Sequence, residues 1–311
     1  MKTLILNRSS IVQGTKNTVY KYKFQSTVTF RKARIALAKL SMYYSWPNIT
    51  TMYNNTSFSY QWFDTSGNLT KTYAVDIPDG YYTLGDLNLY LYEVLVSRGH
   101  YVTYSTNATT ILGTSNGIAH SGSTKYVFFQ IQENATFYSA QLTVYGVPPY
   151  GTLYASYGAV NGFAWRPPTT SDASIYYTGK FIIPSSNLFS KVIGFNSGVI
   201  GTGQVTRLIT QEDILSDFTP ELCPVASVLM TCSLCKNKYS SPSSLVYSFT
   251  ATTDYGAMID EIAYQYMWTD IQPGSYNEFT IEFRDQDFRQ MAILDPNNVI
   301  MLVLDENDDE K

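Results

Sequence analysis

Charged residues are scarce in this sequence. Lys, Arg, Asp and Glu make up 15% of its 311 residues, whereas typical globular chains contain about 25%. The 21 basic residues are outnumbered by 25 acidic ones, and the basic cluster Arg31-Lys32-Ala33-Arg34 has no second basic run and no interleaved aromatic residues to support it. We therefore interpret this cluster as a solvated strand end or turn, and we expect no direct binding of nucleic acid.

Histidine and cysteine, the side chains that most often carry metal or nucleophilic chemistry, are also few. His100 and His120 are isolated in the sequence, and we expect His100 to be a surface residue at the end of a helix. The three cysteines, Cys223, Cys232 and Cys235, are an odd number in a long chain, which argues against a disulfide framework. Cys232 and Cys235 have the C-x-x-C spacing, but a strand places residues three apart on opposite faces. We predict no metal site and no cofactor.

Catalytic motifs are missing as well. The segment Gly113–Gly117 matches G-x-S-x-G by letters but lacks the following helix that a nucleophile elbow requires. The Gly-rich segment Gly194–Gly203 lacks the Lys-Ser/Thr pair of a phosphate-binding loop. Asp285 and Asp287 alternate along one strand, and we interpret them as a solvent-facing strand end and turn. The sequence therefore favours a protein without enzymatic activity.

Long apolar runs are absent. No segment approaches the roughly 18 consecutive apolar residues that a membrane-spanning helix needs. The first apolar run, Leu4-Ile5-Leu6, is too short for a signal peptide, and Arg8 follows it closely. We expect a soluble protein without a membrane span, made in the cytosol or nucleus.

Aromatic residues, by contrast, are abundant, with 27 Tyr and 16 Phe. Both types favour half-buried positions on a pleated sheet. Apolar residues recur with the period of two that is typical of strands in seven segments, Tyr20–Phe24, Phe58–Trp62, Tyr73–Ile77, Val127–Ile131, Tyr138–Val144, Leu245–Phe249 and Phe279–Phe283. A near-continuous apolar run, Val299–Leu304, is an eighth candidate. Turn-forming residues separate these segments, so the sequence predicts an all-β sandwich or barrel.

One amphipathic helix is predicted near residues 83–97. Thr83 is a candidate N-cap with Asp86 three residues later. Leu84, Leu87, Leu91, Val94 and Leu95 form one apolar stripe, and Gly99 is a candidate stop.

The predicted domain organisation is simple. We expect one domain over residues 1–304, with a loop-rich insertion at about 146–179 where Gly and Pro are frequent. The acidic residues 305–311 are predicted to form a solvated tail.

Six segments, taken together, carry a resemblance to a known family. They are Leu4–Val12, Ser41–Ile49, Ile77–Asn88, Leu188–Phe195, Asn237–Pro242 and Phe279–Gln286. In their order along the chain they resemble the penton or minor capsid proteins of polinton-like viruses, virophages and large algal DNA viruses. The resemblance spans nearly the whole chain apart from loops around 105–125 and 146–179, and the C-x-x-C pair is not a feature of it.

The resemblance implies a fold and a role. The expected fold is a single antiparallel jelly-roll sandwich of eight or more strands, and the expected assembly is a homopentamer that closes the five-fold vertices of an icosahedral shell. The implied partners are copies of the chain, neighbouring major capsid protein trimers and, as a further candidate, internal minor capsid proteins. The protein would act in the virion after assembly in the host cell, without catalytic residues.

Three alternatives remain open at this point. A double jelly-roll major capsid protein forming trimers would require two similar blocks of strands, and only one turn-helix unit of the 78–97 type is present. A virion surface β-domain that binds carbohydrate would use aromatic residues to stack on sugars. A glycosidase would need two carboxylates facing each other across a groove.

Overall fold

The computed structural model describes residues 1–104, 125–147, 154–157, 165–166, 174–206 and 209–306. Backbone packing divides the chain into two compact units. Unit 1 combines two segments, Met1–Asn48 and Cys223–Lys311, and unit 2 is the continuous segment Ile49–Leu222. Along the chain, unit 2 is therefore inserted into unit 1.

The secondary structure is mainly β. The first segment of unit 1 contains strands β1 (Lys2–Leu6), β2 (Val19–Phe30) and β3 (Ala33–Tyr43). Unit 2 contains β4 (Ser57–Phe63), β5 (Leu69–Asp76), α1 (Leu84–Ser97), β6 (Val102–Tyr104), β7 (Lys125–Tyr126), β8 (Phe129–Asn134), β9 (Ser139–Val147), β10 (Tyr154–Tyr157), β11 (Ile175–Thr178), β12 (Lys180–Ile183), α2 (Phe189–Ile193), β13 (Gly198–Ile200), β14 (Gln204–Thr206) and β15 (Gln211–Leu215). The second segment of unit 1 contains β16 (Val228–Cys232), β17 (Leu245–Phe249), β18 (Met258–Ile262), β19 (Thr269–Asp270), β20 (Gly274–Asp285) and β21 (Val299–Glu306). Short 3-10 helices span Arg8–Ser10 and Thr51–Tyr53.

Unit 1 is a jelly roll. Its strands form two antiparallel sheets, sheet A in the order β1-β21-β3-β18, with β19 also paired to β3, and sheet B in the order β17-β16-β20-β2. When the eight main strands are lettered B to I along the chain, sheet A reads B-I-D-G and sheet B reads F-E-H-C. That is the strand order of the viral jelly-roll sandwich, so the predicted all-β, jelly-roll fold class is confirmed.

Alternation along the strands builds the core of unit 1. In β1, Leu4 and Leu6 are buried while Lys2, Thr3 and Ile5 are exposed. In β20, Phe279, Ile281 and Phe283 are buried, and the residues between them are only partly so. Because successive side chains of a strand point to opposite faces, each sheet presents one apolar face to this core.

Unit 2 has a different arrangement. Its sheets have the orders β13-β12-β4-β5, β14-β11-β9-β15 with β8 on β9, and β10-β6-β7. None of these reproduces the order found in unit 1, and unit 2 lies between β3 and β16 rather than after a complete first jelly roll. The described part of the chain is therefore not a tandem of two similar jelly rolls.

Helix α1 confirms the predicted amphipathic helix and lies in unit 2. Thr83 is its N-cap, and a capping box joins Thr83 to Asp86 in both directions. Leu84, Leu87, Leu91 and Leu95 are all buried, and the Asn88 side chain accepts a hydrogen bond from the backbone of Ile131 in β8 (2.9 Å). This stripe closes the core of unit 2.

The insertion and the tail differ from the predicted boundaries. The inserted unit begins at Ile49, and the predicted insertion at 146–179 contains β10 and β11, with the rest of it largely outside the described residues.

Asp305 and Glu306, expected in a solvated tail, belong to β21 and form ion pairs with Arg34 (2.7 Å) and Lys2 (2.8 Å), respectively. That residues 1–304 fold as one cooperative domain stays a prediction. No helix among the described residues is long and apolar enough to cross a membrane.

Candidate assembly surface

The outer face of sheet A, which points away from the core of unit 1, is rich in apolar side chains. Pairing places Ile5, Met301, Lys39 and Ile262 side by side across the four strands. The next rows contain Val299, Ser41 and Asp260, and then Tyr43 and Met258. We call these nine residues the outer face of sheet A. Ile5, Met258, Ile262 and Val299 are 51, 50, 56 and 41% exposed.

The side chains of Lys39, Ser41 and Asp260 on this face already interact with one another. Lys39 Nζ lies 3.0 Å from Asp260 Oδ1, and the Ser41 hydroxyl donates to the same oxygen. A sheet face that meets only water normally carries polar residues. A mainly apolar face whose central ion pair is satisfied internally is instead typical of a protein contact surface.

The outer face of sheet B shows the opposite character. Lys21 pairs with Glu278 across β2 and β20 (2.9 Å), and Arg284 pairs with Glu282 along β20 (2.8 Å). Such exposed pairs are typical of a solvated sheet surface. Within unit 1, the candidate assembly surface therefore lies on sheet A.

A loop continues the apolar surface at the β18 edge of sheet A. Residues Ala263–Trp268 connect β18 to β19, and in this loop Tyr264 is fully exposed and Met267 largely so. Tyr266 packs edge-on against Trp268, with ring centroids 5.4 Å apart. The Arg34 guanidinium lies 4.5 Å from the centre of the Trp268 ring. Large, anchored aromatic side chains of this kind suit protein contacts, because little conformational entropy is lost when they bind.

Unit 2 has an exposed aromatic tip of its own. Phe137 and Tyr138 form the turn between β8 and β9, and both are largely exposed. Tyr138 has a φ of 52°, in the left-handed region that favours glycine. A bulky residue is held there at a cost in backbone strain, which makes this tip a further candidate contact surface.

The Gly-rich segment Gly194–Gly203 borders an open cavity of about 410 Å³ in unit 2. Two carboxylates line it, and each accepts hydrogen bonds from the loop backbone. Asp217 accepts from Asn196 N (2.7 Å), and Glu212 accepts from Thr202 N (3.0 Å). Because these amides already bind carboxylates, they do not form a phosphate cradle.

His100 is not a surface residue, and that prediction is wrong. It is only 3% exposed, and its Nδ1 is hydrogen-bonded to the Tyr60 hydroxyl (2.8 Å). Trp62 stacks on its ring at 5.4 Å and Tyr73 meets it edge-on at 4.6 Å. Burial, with smaller contributions from nearby cationic side chains, lowers the pKa of His100 to about 3. The chain reverses after Gly99 (φ 75°) and thereby carries His100 into the core of unit 2.

The two C-x-x-C thiols are close together, and the expectation that the sheet separates them is wrong. Strand β16 ends at Cys232, and a turn follows in which Cys235 N donates to the Cys232 carbonyl (3.1 Å). Both side chains are buried, whereas Cys223 is exposed. The pKa of Cys235 is raised, mainly by a hydrogen bond with the Cys232 thiol and to a lesser extent by burial. In the part of the chain that the structure describes, no three His, Cys, Asp or Glu side chains are grouped to hold a metal.

Asp285 and Asp287 do not form a solvent-facing pair, so that interpretation is also wrong for Asp285. Asp285 is completely buried. It accepts hydrogen bonds from the backbone of Asp287 (2.9 Å) and of Arg289 (2.8 Å), and from Arg289 Nε (2.7 Å). Both carboxylates belong to one turn rather than to opposite walls of a groove, so Asp285 organises the connection after β20.

Two candidates named from the sequence, the Gly113–Gly117 motif and His120, lie outside the described residues. The outer face of sheet A, in contrast, was not predicted, although the sequence carries a signal for it. The apolar run Val299–Leu304 predicted a strand, and a continuous run also implies that both faces of that strand are covered. That signal indicates a second covered face on this strand, although not which strands lie beside it.

The fold can also be compared with known proteins. The chain matches no protein-family model and no curated protein. Among solved structures, it is similar to the crystal structure of the selenomethionine-labelled mavirus penton protein, with a TM-score of 0.43 and 12% identity, over 97% of this chain and 96% of that chain. The jelly-roll fold of unit 1 follows from the strand order and pairing of this chain itself.

Proposed function

We propose that this chain is a structural subunit of an icosahedral viral capsid that forms pentamers at the five-fold vertices. A jelly roll alone does not define a function. The observation that supports the proposal is the outer face of sheet A, where apolar residues on a rigid sandwich require a covering partner. The resemblance of the sequence to penton proteins supports the same role.

A ring of five identical subunits needs two different complementary surfaces on each subunit. The outer face of sheet A, four strands wide and about five residues long, covers roughly 300 Å² in projection. A stable interface buries about 800 Å² per partner. We therefore propose that the Ala263–Trp268 loop enlarges this surface. The other proposed partners, major capsid protein trimers and internal minor capsid proteins, would use surfaces outside this interface.

Light scattering of the purified protein, combined with negative-stain images, tests the proposal. We expect a particle of five chains of 35.0 kDa each and five-fold ring images. The double variant Ile262→Lys with Val299→Lys places two charges on the outer face of sheet A and should reduce the mass to that of a monomer, because buried unpaired charges are costly.

The matched control is Gln25→Lys with Ser26→Lys, which adds the same charge at exposed positions of β2 in sheet B. This control should still form pentamers. Trimers with a pseudo-hexagonal outline would instead indicate the major capsid alternative. A wild-type monomer would contradict both capsid assignments.

A further inference from the structure

Two basic segments that are far apart in the sequence lie together in unit 1. Arg31 and Lys32 form the turn between β2 and β3, and Lys236 and Lys238 lie in the connection between β16 and β17. Arg34, at the start of β3, lies opposite Asp270 of β19 in the backbone pairing of the two strands. The backbone N–H of Lys236 donates to the Asp270 carbonyl (3.2 Å). Lys236 is therefore about 10 Å, or two strand spacings, from Arg34.

The four cationic side chains at this end are available. Arg31, Lys32, Lys236 and Lys238 are all exposed, and none of them takes part in a salt bridge between described residues.

Two of the acidic residues described near these cations are already paired with other basic side chains. Asp305 is neutralised by Arg34 and Glu306 by Lys2. Asp270 of β19 is the one other carboxylate among the described residues of the strands that surround these cations. Among the described residues of these strands and connections, a local excess of positive charge therefore remains on a chain whose net charge is −4. Asp308, Asp309 and Glu310, which follow β21 in the sequence, lie outside the described residues.

An exposed aromatic ring lies beside one of these cations, Lys238. Tyr239 is 91% exposed, and its backbone N–H donates to the Asn237 side chain (2.9 Å). That hydrogen bond forms a tight local turn that presents the ring. Lys238 Nζ lies 5.9 Å from the centre of the ring. Cations beside an exposed ring are the elements from which proteins build surfaces for single-stranded nucleic acid.

We infer that this basic end of unit 1, formed by Arg31, Lys32, Lys236, Lys238 and Tyr239, binds single-stranded nucleic acid without sequence preference. The cations contact phosphates and Tyr239 stacks on a base. From the sequence no such binding was expected, because Arg31–Arg34 lacked a second basic run and an aromatic partner. The fold supplies both from the β16–β17 connection. This inference does not rest on the capsid assignment.

Contacts with four phosphates predict a specific salt dependence. Each contact on a single strand contributes about −0.7 to the slope of log K against log salt, so four contacts give a slope of about −3. The affinity should then fall about 50-fold between 50 and 200 mM salt. Asp270, and the acidic residues that follow Glu306 in the sequence, oppose binding, so the measurement should begin at low salt.

The experiment is a fluorescence anisotropy titration of the full-length protein with a labelled 20-nucleotide oligo-dT. Lys236→Gln with Lys238→Gln should weaken binding about tenfold at 50 mM salt and reduce the slope by about 1.4. Lys21→Gln with Lys23→Gln removes the same charge from the outer face of sheet B and should leave the affinity unchanged. Tyr239→Ala should weaken oligo-dT binding about tenfold and leave binding to a duplex of equal length unchanged.

Three results would overturn the inference: no binding of oligo-dT at 50 mM salt, an equal loss in both double lysine variants, or no loss in Lys236→Gln with Lys238→Gln. Thermal unfolding of each variant shows that the fold is intact. Light scattering on the same samples reports assembly separately. If the protein forms pentamers but does not bind DNA, only this inference is rejected. If it binds DNA as a monomer, only the proposed assembly is rejected.

Discussion

Asp285 shows how a single buried carboxylate can organise a connection of the jelly roll. It accepts three hydrogen bonds from Asp287 and Arg289 while it is completely excluded from solvent. These bonds hold a turn in which Phe288 has a φ of 60°. The neighbouring Asp287 is exposed, and its carboxylate lies 3.0 Å from Arg289 Nη2 at the surface of the same turn.

We expect Asp285→Ala to lower the free energy of unfolding by about 2–4 kcal/mol, because it leaves two part-buried backbone N–H donors and Arg289 Nε without their acceptor. Asp287→Ala, which removes an exposed carboxylate from the same turn, should change it by less than about 0.5 kcal/mol. Urea denaturation measures both values. Equal effects of the two substitutions would show that Asp285 does not have this role.

His100 should make the stability of the protein depend on pH. Its lowered pKa keeps it neutral in the folded protein, whereas in the unfolded chain it binds a proton near pH 6.5. Unfolding therefore takes up a proton below about pH 6.5, so the stabilisation is complete above this pH and declines as the pH falls towards 3.

Between pH 7 and pH 5, this single group should lower the free energy of unfolding by about 2 kcal/mol. His100→Gln cannot titrate and should lack this part of the decrease, whatever its stability at pH 7. Denaturation curves at the two pH values give the comparison. A decrease of the same size in the variant and the parent protein would contradict the assignment.

At the scale of one element, helix α1 separates a buried stripe from an exposed face within two residues. Leu91 is completely buried in the core of unit 2, and Leu89 is partly exposed on the same helix. We expect Leu91→Ala to cost about 2–5 kcal/mol because it leaves a cavity. Leu89→Ala should cost well under 1 kcal/mol, since alanine is an equally good helix former. Thermal unfolding would refute this packing if the two variants were equally stable.

The two sheets of unit 1 differ in the same way at the scale of whole faces. The inner faces were predictable because period-two alternation identifies them. The outer faces were not assigned, because alternation does not indicate whether the second face meets water or another protein. The ion pairs of sheet B and the aliphatic residues of sheet A became distinct surfaces only when strand order placed them side by side.

At the scale of the whole molecule, the insertion of unit 2 between β3 and β16 bears on cooperativity. If residues 1–304 fold as one domain, calorimetry should show a single transition. Leu91→Ala in unit 2 and Phe283→Ala in unit 1 should then shift that transition in the same direction and leave it single. Two separate transitions, each moved by only one of the substitutions, would show instead that the units fold independently.

The sequence by itself determined the local features of this protein. The strands around Phe58–Trp62 and Phe279–Phe283, the helix that begins after Thr83 and the all-β class follow from periodicity and capping, which depend on neighbours within a few residues. Tertiary structure alone decided the burial of His100 and Asp285, the contact between Cys232 and Cys235, the extent of unit 2, and the approach of Lys236 to Arg34. Each of these depends on where the chain reverses or which strands pair across long separations, and those choices are made by packing of the whole core rather than by local pattern.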